Sequence, residues 1–127
     1  MIITKSRPYN SIKKELSKDD EVGIISCNAC ARICGTGGEK VMKQLARKLK
    51  QDGYKVVDMD LIGIPCDMNQ LQKSQLHGDV QIVLACESGV HNLKEIFPKH
   101  KIIAGLETIG IGAVNKKGKM ELVKRVR

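Results

Sequence analysis

Three of the five cysteines in the chain fall in the stretch CNACARICGTGGEK, residues 27 to 40, just ahead of a glycine-rich turn. Cys27, Cys30 and Cys34 are spaced C-x2-C-x3-C, with no histidine at zinc-finger spacing. Thiolates bind soft and borderline metals, and ligands two or three residues apart let one loop wrap several bonds around one centre. A structural zinc knot ordinarily uses two C-x2-C pairs, whereas this chain has one. Zinc held by Cys27, Cys30, Cys34 and a distant thiolate is therefore the alternative reading. A [4Fe-4S] cluster is larger, accepts ligands from separate loops, and suits five thiols better once Cys66 and Cys86 are counted.

Other chemistries fit less well. GTGGEK resembles a phosphate loop but lacks the Gly-Lys-Ser/Thr ending, so nucleotide binding is not expected. His77, His91 and His100 do not pair with one another at metal spacing. LACESGVH reads as strand, sharp turn and helix with Cys86 at the corner, an arrangement that can activate a nucleophile. With His91 or Glu87 beside it, Cys86 would make a cysteine hydrolase or a redox-sensing thiol. That reading finds no acidic partner for a histidine and leaves the Cys27, Cys30, Cys34 group idle, so it ranks second.

The elements that must position these thiols alternate. EVGIIS, residues 21 to 26, is a short apolar run that reads as a buried strand ending at Cys27. From residue 38 to 51, Val41, Met42, Leu45, Ala46 and Leu49 recur at helical spacing, with lysines and arginines on the other face. Thr36-x-x-Glu39 has the form of a capping box, and Gly53 sits where a helix-ending glycine belongs. YKVVDMDLIGIPC alternates apolar and acidic residues as a half-exposed strand stopping before Cys66. DMNQLQKSQLHGD has the pattern of a short helix, VQIVLAC that of a buried parallel strand ending at Cys86. A helix is expected from Ser88 or Gly89 to Phe97. KIIAGLETIGIGAV then reads as a fourth strand followed by turns at Gly105, Gly110 and Gly112.

This succession predicts a three-layer α/β domain with a mostly parallel sheet of about four strands. Cys27, Cys66 and Cys86 then fall at the C-terminal rim, where ligands sit in open α/β sheets. The helix after Gly38 and the helix near Ser88 would aim their N-termini at that rim. Glycines at 35, 37, 38 and 89 would let backbone N–H groups approach sulfur.

With 42% hydrophobic and 28% charged residues, the 127-residue chain has enough apolar material for one domain with a real core. Its division is a basic N-terminal segment (1–20), an α/β core (21–113) and a basic C-terminal tail (114–127). The net charge of +8 is concentrated toward the ends and is read as solvated flanks, or as a surface for an acidic protein partner. With two tyrosines, one phenylalanine and no tryptophan, stacking platforms for nucleic acid are missing, and no DNA-binding motif accompanies the charge. Neither a signal peptide nor a membrane span is expected. The chain reads as cytoplasmic, where free thiols serve metal sites or reactivity rather than disulfides.

The succession CNACARICGTGGEK, IPCDMNQL, LACESGVHNL and AGLETIGIG, spanning about Val22 to Gly112, resembles the methylenetetrahydrofolate reductase C-terminal domain family. That family also occurs as a small zinc or iron–sulfur subunit beside a flavin-containing reductase. Its cysteine loop falls on Cys27, Cys30 and Cys34, its helix start on Gly37, Gly38 and Glu39, its Cys-Asp pair on Cys66 and Asp67, and its Ala-Cys corner on Ala85 and Cys86. The pattern departs at Glu87, where glycine is common. The resemblance implies an accessory subunit that supports electron transfer to a flavin-containing partner in one-carbon metabolism and is not a catalyst alone. The expected ligands are Cys27, Cys30, Cys34 and either Cys66 or Cys86, with the fifth cysteine beside the cluster. Gly37, Gly38, Asp67 and Gly89 would surround it. A homo-oligomer is compatible with all of this.

Overall fold

The computed structural model describes residues 1–126. Its strands are β1 (Ile2–Ser6), β2 (Glu21–Cys27), β3 (Lys55–Ile62), β4 (Val80–Leu84), β5 (Lys101–Ala104), β6 (Leu106–Val114) and β7 (Met120–Arg125). Its helices are α1 (Tyr9–Lys13), α2 (Cys30–Ile33), α3 (Glu39–Gln51), α4 (Met68–Leu71) and α5 (Glu87–Ile96). Four strands form a parallel sheet in the order β3-β2-β4-β5, so the chain is α/β with the parallel sheet that the alternation predicted.

Burial explains the order. β2 and β4 are central: every β4 residue is buried, and so is all of β2 after Glu21. Strands enclosed on both faces need continuous apolar sequence, which EVGIIS and VQIVL supply. β3 is an edge, and its alternation of exposed and half-buried residues matches a strand covered on one face only. Polar residues also enter the core, each with a partner. Gln81 is buried and donates from Nε2 to the His77 carbonyl at 2.7 Å. Its side chain occupies the space over Gly23, where an added Cβ would lie 2.2 Å from Oε1.

α3 buries Met42, Ala46 and Leu49 against β2 and β3, as its periodicity predicted. It ends at Gly53, whose φ of +88° allows the Tyr54 N–H to return to the Leu49 carbonyl at 3.0 Å. The start differs from the expected capping box. Gly38 is the N-cap, and Thr36 shares a buried 2.7 Å hydrogen bond with Thr4 of β1. Ser26 replaces it, its Oγ accepting from the Gly38 N–H at 2.7 Å. A tertiary partner has displaced the local one, because β1 brings a second hydroxyl to Thr36.

The expected fourth strand divides at Gly105. β5 stays in the parallel sheet, whereas β6 leaves it to pair with β1 and β7 in an antiparallel sheet of order β1-β6-β7. Gly105 joins the two sheets: its N–H donates to Val83 at 2.8 Å and its carbonyl accepts from Arg7 at 3.0 Å. Gly110 and Gly112 are strand residues rather than turns. At Gly110 a Cβ would come within 2.1 Å of the Lys124 carbonyl, so glycine is what lets β7 approach. The flanks 1–20 and 114–127, expected as basic and solvated, thus carry β1, α1 and β7. Their charges obscure the alternation in the sequence, but pairing with β6 satisfies their backbone.

Candidate functional site

The strand order places β2 beside β4 while their following connections lead outward to β3 and β5. A crevice opens at such a reversal, outside the C-terminal ends of the strands. Cys27 is the last residue of β2 and is buried. Cys86 follows β4 as the half-buried N-cap of α5, and Cys66 follows β3 at an exposed position after the fully buried Pro65. Cys30 opens α2, half-buried.

Pro65 and Gly89 account for the meeting of Cys66 and Cys86. Gly89 is buried in α5, and a Cβ there would lie 2.9 Å from Ala85 Cβ and 3.4 Å from Pro65. Asn92 of α5 also donates to the Pro65 carbonyl at 3.4 Å. The loop carrying Cys66 is held against the helix that begins at Cys86. On the other side, the Asn28 N–H donates to the Ile62 carbonyl at 2.9 Å and ties the exit of β2 to the end of β3.

Electrostatics report the result. Burial pushes the Cys66 thiol up from its ordinary range, and the charges of Cys86, Cys27 and Cys30 push it further up, against a backbone hydrogen bond that lowers it. Cys66 therefore lies within electrostatic range of Cys86, Cys27 and Cys30. Cys34 closes α2 one helical turn after Cys30, its N–H donating to the Cys30 carbonyl at 2.9 Å, and its Sγ donates to the Ile2 carbonyl of β1 at 3.6 Å.

The glycines do other work than expected. The N–H groups of Gly35, Gly37 and Gly38 go to the Arg32 carbonyl, the Ala31 carbonyl and Ser26 Oγ, so they do not reach sulfur. Gly37 is needed for closeness, since a Cβ would lie 2.8 Å from both Ala31 Cβ and Ser26 Oγ. Ala29 is a backbone donor that does reach a thiol, its N–H meeting Cys27 Sγ at 3.3 Å. Asp67 caps α4, accepting from the Asn69 N–H at 3.0 Å. Ser26 was missed from sequence, although a lone hydroxyl in an apolar strand next to a cysteine is a signal of a buried polar contact.

As to single-ion sites, no group of three or more His, Cys, Asp or Glu among the described residues is arranged to hold a metal ion. The donor set at the rim is nonetheless uniform in chemistry, four sulfurs that fit a thiophilic metal or cluster in type. For the Cys86 alternative, His91 is exposed and lines a small cavity with Glu87 and Lys94. No described helix is long and apolar enough to cross a membrane. Comparison of the chain with protein-family models, curated proteins and solved structures gave no significant match.

Proposed function

We propose that this chain is a cysteine-ligated accessory module that holds a [4Fe-4S] cluster through Cys27, Cys30, Cys66 and Cys86, with zinc as the alternative occupant of the same thiolates. The observation that carries the reading is the placement of Cys27, Cys66 and Cys86 after the C-terminal ends of three neighbouring parallel strands, with Cys30 opening α2 beside them. The Cys66 thiol resists deprotonation, and a metal centre offsets that resistance by taking up the thiolate. The ligands come from three strand ends and one helix start, and a polynuclear core spans separated ligands more readily than a single ion does.

When bound, the cluster supplies a one-electron donor and acceptor. The chain's own residues hold and tune it. Ala29 donates to Cys27 Sγ, a contact of the kind that shifts cluster potential. The N-terminus of α5 places its partial positive charge beside Cys86. The resemblance to the methylenetetrahydrofolate reductase C-terminal domain family supports a flavin-containing reductase subunit as the electron partner, within one-carbon metabolism. In this reading the module is not a catalyst alone and works in the cytoplasm, where thiols stay reduced. Lysines 116, 117, 119 and 124 suit an acidic face of that partner.

Anaerobic purification followed by iron, sulfide and zinc analysis tests the reading. A brown protein with equal iron and sulfide is the expected result, whereas colourless protein with stoichiometric zinc makes the site structural. The second reading, a Cys86 nucleophile, is favoured by its N-cap position. It requires metal-free protein in which Cys86 alkylates far faster than the other thiols.

A further inference from the structure

On the α3 side of the parallel sheet, a cavity of about 390 Å³ lies between α3 and the segment formed by the end of β1 and α1. We infer that it is a binding site for a small organic anion with an apolar body, an aromatic or branched carboxylate, sulfonate or phosphate ester.

Met42, Ala46 and Leu49 turn into the core, and the stripe beside them is Val41, Leu45 and Lys48. Val41 and Leu45 are only half-buried, and with Ile12 and Leu84 they make an apolar wall. The cavity is of the size that takes drug-sized ligands, and it combines apolar walls with few polar groups, as ligand sites do. Its charges have one sign. Arg7, Arg47 and Lys48 line it and no acidic residue does.

The three cations are not equivalent. Arg7 is already engaged, by Glu15 at 3.0 Å and by the Ala104 carbonyl at 2.6 Å. Arg47 has no ion pair or hydrogen bond among the described residues. Lys48 has no carboxylate partner there either, and its ammonium sits 4.7 Å from the centre of the Tyr9 ring. Tyr9 is itself fixed, its hydroxyl donating to Asp52 at 2.7 Å. The cavity therefore presents a guanidinium and an ammonium one residue apart at the edge of an apolar groove. An anionic head on an apolar body satisfies both halves, whereas a neutral apolar ligand satisfies one and a bare inorganic anion the other.

The test uses the full chain and the probe 1-anilinonaphthalene-8-sulfonate, with uncharged N-phenyl-1-naphthylamine for comparison. The sulfonate probe should bind one to one, and its complex should shift the amide NMR signals of Val41, Leu45 and Gly105. The double variant Arg47→Glu, Lys48→Glu changes exposed positions only and should weaken the sulfonate about tenfold or more while leaving the uncharged probe little affected. Val41→Trp should fill the groove and abolish binding of both. Shifts confined to β6 and β7, unchanged affinity in the double variant, or no binding by the wild-type chain would each overturn the assignment.

Discussion

All five residues of β4 are buried, whereas five of the six residues of β7 are exposed. The two strands belong to sheets that share a backbone junction at Gly105, yet they hold the chain together in different ways. The parallel sheet carries the core, built on Ile24, Ile25, Ile82, Val83 and Ile103. The antiparallel sheet rests on backbone pairing, with Leu122 and Val123 left exposed. The thiols follow this division. Cys27 ends β2, Cys66 and Cys86 follow β3 and β4, and the Cys34 thiol meets the carbonyl of Ile2 in the outer sheet. A site that must hold several ligands at once gains from the first setting, because strand ends fixed by packing cannot drift apart independently.

Substitutions in the two sheets should separate them in a series of falling effects. Ile82→Ala, in a fully buried position at the centre of β4, should lose about 2–5 kcal/mol in urea unfolding. A loss below 1 kcal/mol would show that the parallel sheet is not the stabilising unit. Ser26→Ala removes the acceptor for the Gly38 N–H and should cost about 1–2 kcal/mol by the same measurement. Thr36→Val should not reproduce the helix-start defect, because Thr36 does not cap α3. If Thr36→Val alone frayed α3 in hydrogen exchange, the local capping box would be restored as the working cap. Leu122→Ala, exposed on β7, should change stability by no more than about 0.5 kcal/mol.

The thiol rim adds a pH dependence of its own. Cys66 holds its proton more tightly folded than unfolded, chiefly through burial. Its contribution to stability is therefore full below the ordinary thiol range, about 8.5, and is lost as pH rises through the folded value. Metal-free protein should melt at progressively lower temperature across that alkaline window, and Cys66→Ser should flatten the decline. A decline of the same slope in Cys66→Ser would place its origin elsewhere.

The legible part of the sequence was the part whose pattern has one cause. β2, β4 and α3 read directly, because burial on both faces or on one helical stripe leaves an unmixed hydrophobic period. β1 and β7 did not, since Lys5, Lys119, Lys124 and Arg125 look like a solvated flank and only long-range pairing with β6 reveals strands. At the site, strand-end placement foretold that Cys27, Cys66 and Cys86 share a rim. The contact of Cys34 with β1 was not legible, because the Ile2 carbonyl that it meets lies 32 residues away in the chain. The glycines of GTGGEK were over-read as sulfur donors for the same reason: their N–H groups are committed to carbonyls and to Ser26, partners that the local sequence does not display.

Cofactor content across serine variants decides whether Cys34 stands apart from the other four thiols. Wild-type chain and Cys34→Ser, purified anaerobically, should carry equal iron and sulfide, while Cys27→Ser, Cys30→Ser, Cys66→Ser and Cys86→Ser each lose most of both. Loss of the cluster in Cys34→Ser with retention in Cys66→Ser or Cys86→Ser would contradict the account, as would a wild-type chain that binds neither cluster nor zinc.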